Sequence, residues 1–295
     1  MSQRYRSVFA PGLFAGRCYV VTGGGSGIGR CTAHELAALG ATVIITGRKL
    51  DKLERVAAEI RDDGGAATVM AFDIRDEDAV KQAVATMLEQ HGAIHGLVNN
   101  AGGQFPSPAQ AISKKGFEAV LGANLTGGFL MARELYLRRF MKHGGAIVNM
   151  IADMWGGMPA MAHSGAARAG MMNLTQTLAV EWSASGTRVN AVAPGFVASS
   201  GLDAYDPSFS SVVLPQMAAA IPLGRLSSEA EISAAIVFLL SDAASFVTGA
   251  TLCIDGGASL NTKLFPLSGK PANAAFSGFH REKPPAALDV LKKKT

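Results

Sequence analysis

Val20-Val21-Thr22-Gly23-Gly24-Gly25-Ser26-Gly27-Ile28-Gly29 is the stretch on which the reading of this chain turns. A β-branched run, Cys18–Thr22, leads into it, and a helix-compatible stretch, Ile28–Leu39, leads out. A strand that stops at a glycine cluster and opens a helix leaves the first N–H groups of that helix unpaired. They carry a partial positive charge and face an anion. Gly23 permits the sharp exit from the strand, Gly27 lets backbone approach a pyrophosphate, and Gly29 lets the helix pack on the sheet. A flexible glycine turn is the plainer alternative, but it gives no reason for the strand before and the helix after. Gly23, Gly25, Ser26, Gly27, Ile28 and Gly29 are therefore expected to cradle a dinucleotide.

Outward from this loop the chain alternates. Thr42–Thr46, Thr68–Phe72 and Gly96–Asn99 read as strands, with helices over Lys49–Asp62 and near Asp76–His91. A long helix is expected over Lys114–Lys142. A strand (Ala146–Ile151), a helix (Gly165–Ser183), a strand (Arg188–Ala193), a helix (Ser228–Leu240) and a last strand (Thr251–Ile254) follow. The apolar runs are continuous, as in strands buried on both faces. Strand–helix alternation implies parallel pairing with right-handed crossovers. The expected class is α/β, a Rossmann-type doubly wound parallel sheet of about seven strands in a single domain spanning 17–260. An N-terminal extension, 1–16, precedes it and a basic tail, 261–295, follows. The irregular segment Leu202–Gly224 interrupts the alternation and reads as a substrate lid.

The second strand ends Thr46-Gly47-Arg48-Lys49. An NAD site usually places an acid there for the ribose 2′-hydroxyl. Here two cations stand instead, and Arg48 can bond a 2′-phosphate bidentately with Lys49 adding charge. NADP(H) is thus favoured over NAD(H), the lesser alternative being that both residues are surface cations opening a helix. Asp73 and Ile74, ending the third strand, suit an adenine amine and ring.

Composition excludes several classes. Of 295 residues 48% are hydrophobic and 17% charged, too apolar for a disordered chain. The net charge of +4 is concentrated in 261–295, which holds seven Lys or Arg against two acids and reads as a solvated end, so a nucleic-acid surface is not expected. Three cysteines (Cys18, Cys31, Cys253) make neither a disulfide framework nor a metal ligand set. Neither a signal-peptide core nor a membrane span is legible, and the end is not Ser-Lys-Leu, so a cytoplasmic protein is expected.

Taken together, Thr22-Gly23-xxx-Gly27-x-Gly29, Asn99-Asn100-Ala101-Gly102, Asn124, Asn149, Pro194-Gly195 and Asp255-Gly256-Gly257 resemble the short-chain dehydrogenase/reductase family, in order and spacing over about 15–260. The resemblance implies an NAD(P)(H) site, a dimer or tetramer, and Asn100, Ala101 and Gly102 supporting the cofactor cleft. Pro194, Gly195 and Val197 would lie near the nicotinamide, and Ser199 at its carboxamide or the pyrophosphate. Gly103-Gln104-Phe105, Ser107-Pro108-Ala109 and His163-Ser164-Gly165-Ala166-Ala167-Arg168-Ala169-Gly170 resemble the peroxisomal trans-2-enoyl-CoA reductase branch more narrowly.

Most members of that family reduce carbonyls with a Ser, a Tyr and a Lys. Aligned on Asn173-Leu174-Thr175, Ser164 stands at the Tyr position and Arg168 at the Lys position, with Ile151 or Ala152 at the Ser. Carbonyl reduction makes an alkoxide that needs a positioned acid. Ser164 is a poor acid, and Arg168 stays protonated. Conjugate reduction of an enoyl thioester instead puts charge on the thioester oxygen, where hydrogen-bond donors suffice, each contributing roughly 3–4 kcal/mol.

Ser164 is thus expected as a donor, unless it only caps a helix, and Arg168 as a ribose anchor, unless it only makes a salt bridge. Asn124 is expected to anchor a water or to brace a bent helix. Met172 stands where the enoyl-CoA reductases carry a proton-donating Tyr, so Asp153 and His163 are the substitute acids nearest in sequence. Arg133, Arg138, Arg139 and Lys142 are weaker candidates for a CoA phosphate. The expected substrate is an acyl-CoA. A carbonyl reductase with an atypical acid and a catalytically silent NADP-binding protein are the alternatives.

Overall fold

The computed structural model describes residues 4–204, 207–261 and 272–289. Among the described residues seven strands form one parallel sheet. They are β1 Cys18–Thr22, β2 Thr42–Gly47, β3 Ala66–Ala71, β4 Gly96–Asn99, β5 Gly145–Met150, β6 Thr187–Pro194 and β7 Thr251–Ile254. Their order is β3-β2-β1-β4-β5-β6-β7. The winding reverses between β1 and β4, so the loops leaving these two strands diverge and open a crevice at their carboxyl ends. Both strands are buried along their whole length. The edge strands β3 and β7 are only partly covered.

Alternate side chains of each strand enter opposite layers. Val21 and Ile45 pack beneath α1 (Gly27–Ala38), α2 (Leu50–Asp62) and α9 (Glu229–Leu240), meeting Leu36, Val56 and Ile236. Val20 and Ile44 pack against α3 (Glu77–His91), α5 (Gly127–Leu135) and α7 (Ala162–Glu181), meeting Val84, Leu130 and Leu178. Both layers are therefore served by the same short runs, which explains their unbroken hydrophobicity. Among the described residues no helix is long and apolar enough to cross a membrane.

Three expectations need correction. The helix expected over Lys114–Lys142 is α4 (Lys114–Leu121), α5 and α6 (Met141–His143), joined by π-turns at Gly122–Thr126 and Tyr136–Phe140. A π-turn admits an extra residue and shifts the phase of every side chain after it, which leaves no trace in an apolar period. The segment expected to be irregular contains α8 (Pro207–Ala220), disguised by Pro215 inside it. Its Leu214 is buried and Val212 exposed, whereas Tyr205 and the Phe209 side chain lie outside the described residues.

The third concerns the basic tail. Lys292–Thr295 lies outside the described residues, but Phe276–Arg281 folds back onto the domain. Phe279, 2% exposed, joins Tyr5, Cys31 and Ala230. Arg281 pairs with Asp63 at 2.6 Å, Arg30 lies 4.8 Å over the Phe279 ring, and Arg6 N–H donates to the Gly278 carbonyl at 2.9 Å. Two phenylalanines give this basic stretch an apolar anchor. The N-terminal extension is tied down with it, through Tyr5 and Ser7 hydroxyls donating to the buried Glu35.

Candidate active site

Thr22, the last residue of β1, organises the glycine loop. Its Oγ1 accepts the N–H groups of Asn100 (3.0 Å) and Ala101 (2.9 Å) and donates to the Val98 carbonyl at 3.2 Å. The Asn100 amide donates to the carbonyls of Thr22 (2.9 Å) and Gly23 (3.3 Å). Asn100 thus clamps the two diverging loops together rather than facing the crevice. Gly23 has φ +69°, and a Cβ there would stand 2.9 Å from the Ala101 Cα, so glycine is required. A Cβ on Gly29 would run into the Gly23 carbonyl and the Asn100 amide. Among the described residues no side chain caps α1, whose N-cap is Ser26, and no acid occupies its first turn. The amides at residues 26–28 remain available to an anion.

The crevice beside this loop has a volume of about 410 Å³. Gly23, Gly25, Ser26, Arg48, Lys49, Asp73, Ile74, Ala101 and Gly102 all line it, so half of the expected cofactor residues come together here. Lys52 and Arg75 line it too, and neither was read from the sequence. Arg75 makes a forked ion pair with Asp73, its closest approach 2.5 Å, holding that carboxyl below its ordinary value. Pro194 ends β6, Gly195, Val197 and Ser199 follow it, and all four lie outside this crevice. Gly195 meets Asp255, whose Cα would be 2.9 Å from a Cβ there, and Val197 bridges to Ser227.

A buried amide ladder joins the two halves. Asn99 donates to the Gly128 carbonyl and to Asn149, and Asn149 donates to the Thr175 hydroxyl, each at 2.9 Å. It fixes α5 and α7 against the carboxyl ends of β4 and β5.

Four of the five expected catalytic residues converge on one loop, Gly102–Phe105. Asn124, buried in the first π-turn, donates to the Gly103 carbonyl at 2.7 Å and accepts Gly103 N–H at 3.1 Å. Both ends of its amide engage the backbone of the loop, so it braces Gly103 against the π-turn. Ser164 is wholly buried within α7, whose N-cap is Met161, so it is no cap; its Oγ donates to Gln104 Oε1 at 2.6 Å. The Ser164 N–H donates to His163 Nδ1 at 2.8 Å, which leaves the imidazole proton on Nε2. That Nε2 is buried and, among the described residues, has no partner; the ring stands edge-on to Phe105 at 4.5 Å.

Arg168, one turn along α7, donates to the Met150 carbonyl, and a Cβ on Gly102 would lie 3.1 Å from its Nη2. Its Nε is enclosed and, among the described residues, without a partner. Burial with no carboxylate facing it pulls the guanidinium down to about 10. It makes no salt bridge among the described residues. Polar groups of ribose would complete this arrangement, so the residues present fit a nicotinamide nucleoside.

Asp153 is the exception in position. Its N–H donates to the Pro194 carbonyl at 2.9 Å, which sets it on the β6 side of the cleft. Burial, then the neighbouring Asp255 carboxylate, raises its pKa above the ordinary value. Asp255 stays ionised: burial opposes this, but Ser259 and the N–H groups of Gly257 and Ser259 outweigh it. Met172 packs with Leu125, Met154 and Ile151, an apolar wall beside the same helix. Of the weak CoA candidates, Arg133 pairs with Glu77 at 2.7 Å and Arg138 with Glu134, Lys142 is exposed on α6, and Arg139 lies away from the crevice, beside His95 and Gly145 at the amino ends of β4 and β5, so none of the four faces the site. Gln104, like Lys52 and Arg75, is a residue that sequence reasoning missed. It stood only inside a subfamily signature, and nothing local marks an exposed Gln as the partner of a buried hydroxyl.

Comparison with known proteins agrees with this geometry. A family model described as enoyl-(acyl carrier protein) reductase matches residues 23–259. A peroxisomal 2,4-dienoyl-CoA reductase [(3E)-enoyl-CoA-producing] of Danio rerio is 36% identical over 262 residues, 88% of this chain and 87% of that protein. A cis-4-hydroxycyclohexanecarboxylate dehydrogenase of Sinomonas cyclohexanicum is 41% identical over 248 residues, 83% of this chain and 97% of the other. Among solved structures, a citronellol catabolism dehydrogenase (AtuB) of Pseudomonas aeruginosa PAO1 is 58% identical with a TM-score of 0.78, covering 86% of this chain and 100% of that one. With its seven-stranded parallel sheet, glycine loop and matched length, the chain belongs to the short-chain dehydrogenase/reductase family of nicotinamide-dependent oxidoreductases.

Proposed function

We propose that this protein is an NADPH-dependent reductase of enoyl thioesters, acting on the C=C bond of a trans-2-enoyl-CoA-like substrate. One observation carries the reading. At the two α7 positions where carbonyl-reducing relatives resemble each other in Tyr and Lys, this chain has a buried Ser164 already bonded to Gln104 and an enclosed Arg168 without an acid partner. Neither delivers a proton to an alkoxide at neutral pH.

When bound, NADPH supplies the hydride. The amides at residues 26–28 hold the pyrophosphate, Arg48 and Lys49 take the 2′-phosphate, and Arg168 takes the nicotinamide ribose hydroxyls. His163 Nε2–H and the Gln104 amide, oriented by Ser164, are the donors for the thioester oxygen as it gains charge. Asp153, its pKa raised, gives the proton to the α-carbon. Leu125, Met154 and Met172 accept the acyl chain; their flexible thioethers suit an irregular or branched chain. We place the enzyme in the cytoplasm as a homo-oligomer, with the exposed Phe246, Leu252 and Leu260 around β7 as its contact.

A second reading is alcohol or ketone chemistry with Asp153 as the acid–base group. The raised pKa of Asp153 and the name of the 58% identical Pseudomonas protein favour it. NADPH oxidation with crotonyl-CoA and with methyl-branched enoyl-CoA, beside ketones and beside citronellol plus NADP, separates the two. Turnover of enoyl-CoA is expected, and turnover of ketone or alcohol alone reverses the assignment. Tight NADPH binding with no turnover on either panel leaves a cofactor-binding protein without catalysis.

A further inference from the structure

The crevice lies at the carboxyl ends of the strands. At the amino ends of β1, β4, β5 and β6, about 16 Å away for a five-residue strand, a second cavity of about 260 Å³ opens. Arg17, His95, Arg139, His143 and Arg188 line it, with Asp242 as its one acid among the described residues.

Part of this positive charge is accounted for. Arg17 forms a two-pronged pair with Asp242 at 2.6 and 3.0 Å. Arg188 donates to the carbonyls of Leu239 and Ser241 and closes the end of α9. Arg139 is not accounted for. It sits in the second π-turn, its Nε is enclosed, and among the described residues no acceptor meets it. His95 Nδ1 accepts the Cys18 N–H at 3.0 Å, so its Nε2 carries the remaining proton as a donor. The field is cationic throughout: burial, then Arg139 and Arg17, lower the pKa of His95, and burial, then Arg139 and Lys142, lower that of His143.

Donors thus converge on a cavity whose single carboxylate is already spent. We propose that this pocket is an anion site for a phosphate group, held by Arg139 and the His95 Nε2–H with His143 and Arg17 at its rim. A tetrahedral oxyanion supplies what the pocket lacks, several strong acceptors in a small volume. The site is separate from the coenzyme crevice, and its occupation ties the starts of three strands to the end of α9.

The test is calorimetric titration of the whole protein with inorganic phosphate against chloride at matched ionic strength, with thermal melting in parallel. Wild type, Arg139→Gln, His143→Gln and Arg48→Gln are compared. Saturable phosphate binding is expected in wild type and in Arg48→Gln, weakened roughly tenfold or more in Arg139→Gln and less in His143→Gln. Catalytic turnover stays unchanged in Arg139→Gln. A glycerophosphate arm identifies the source of the phosphate: tighter binding than the inorganic ion assigns the site to an ester, weaker binding to the free ion. Phosphate binding lost in Arg48→Gln but kept in Arg139→Gln overturns the proposal, as does a wild type that responds equally to chloride.

Discussion

The Ser164 hydroxyl donates to Gln104 Oε1 at 2.6 Å, joining a wholly buried helix residue to an exposed loop residue sixty positions away. Because its oxygen accepts from Ser164, Gln104 keeps its amide N–H₂ uncommitted to that hydroxyl, and the residue lines the crevice. Ser164→Ala and Gln104→Ala should therefore each lower kcat by roughly 10²-fold with little change in KM. The double variant should be no worse than either single one, because the pair acts as a unit. Additive losses in steady-state rates would show two independent roles.

Arg168 carries an enclosed Nε without an acceptor among the described residues. If ribose hydroxyls complete it, Arg168→Gln weakens NADPH about 10- to 100-fold, the equivalent of a charged hydrogen bond. Lysine at 168 should not restore the affinity, since its ammonium cannot reproduce the planar fork. Fluorescence titration with NADPH checks both variants; an unchanged Kd removes Arg168 from the cofactor site.

Arg48 and Lys49 line the crevice with no acid at the end of β2. Arg48→Ala should raise KM for NADPH by about 10- to 100-fold and leave KM for NADH nearly unchanged. Equal effects on both coenzymes would mean that neither residue reads the 2′-phosphate.

Burial, then the nearby Glu282, pushes Glu229 up from 4.5 to about 7. The folded state then keeps a proton that the unfolded state releases, so Glu229 is most favourable to folding below about pH 4.5. Its contribution falls as pH rises through 7, by on the order of 1–3 kcal/mol. Glu229→Gln should flatten the drop in Tm between pH 5 and 8. His34 works in the opposite sense: burial, then Arg30, lower it from 6.5 to about 4, so stability is lost as pH falls through that window. Melting curves across pH for wild type and Glu229→Gln decide the point.

Phe279 is buried against Tyr5 and beneath Arg30. Phe279→Ala should cost about 3–5 kcal/mol, seen as a lower midpoint in urea. A change under about 0.5 kcal/mol, typical of surface substitutions, would mean that the segment does not hold the domain.

The sheet was legible because its signal is local and redundant. Val20–Val21 and Ile44–Ile45 each supply both layers, so unbroken apolar runs identify the strands without knowledge of their neighbours. The lining of the crevice was legible for a similar reason, since Gly23, Arg48 and Asp73 all stand just where a strand ends. The polar cluster around the Gly102–Phe105 loop was legible only as names. His163, Ser164 and Arg168 share a helix, but what they do depends on Gly102–Phe105, a loop whose composition advertises nothing. The fold-back of Phe276–Arg281 was hidden because lysines and prolines dominate the composition around two anchoring rings.

That fold-back has a consequence for how the molecule is made. The backbone bond from Arg6 to Gly278 and the stacking of Arg30 on Phe279 cannot form until translation has passed both partners. Until then the side of α1 that carries Arg30 and Cys31 lacks its aromatic cover. Such non-local closure is slow and exposes the nascent chain to misassociation. The cover that Phe279 gives Arg30 and Cys31 is therefore among the later contacts of the fold, formed only after the glycine loop and its helix have long been in place.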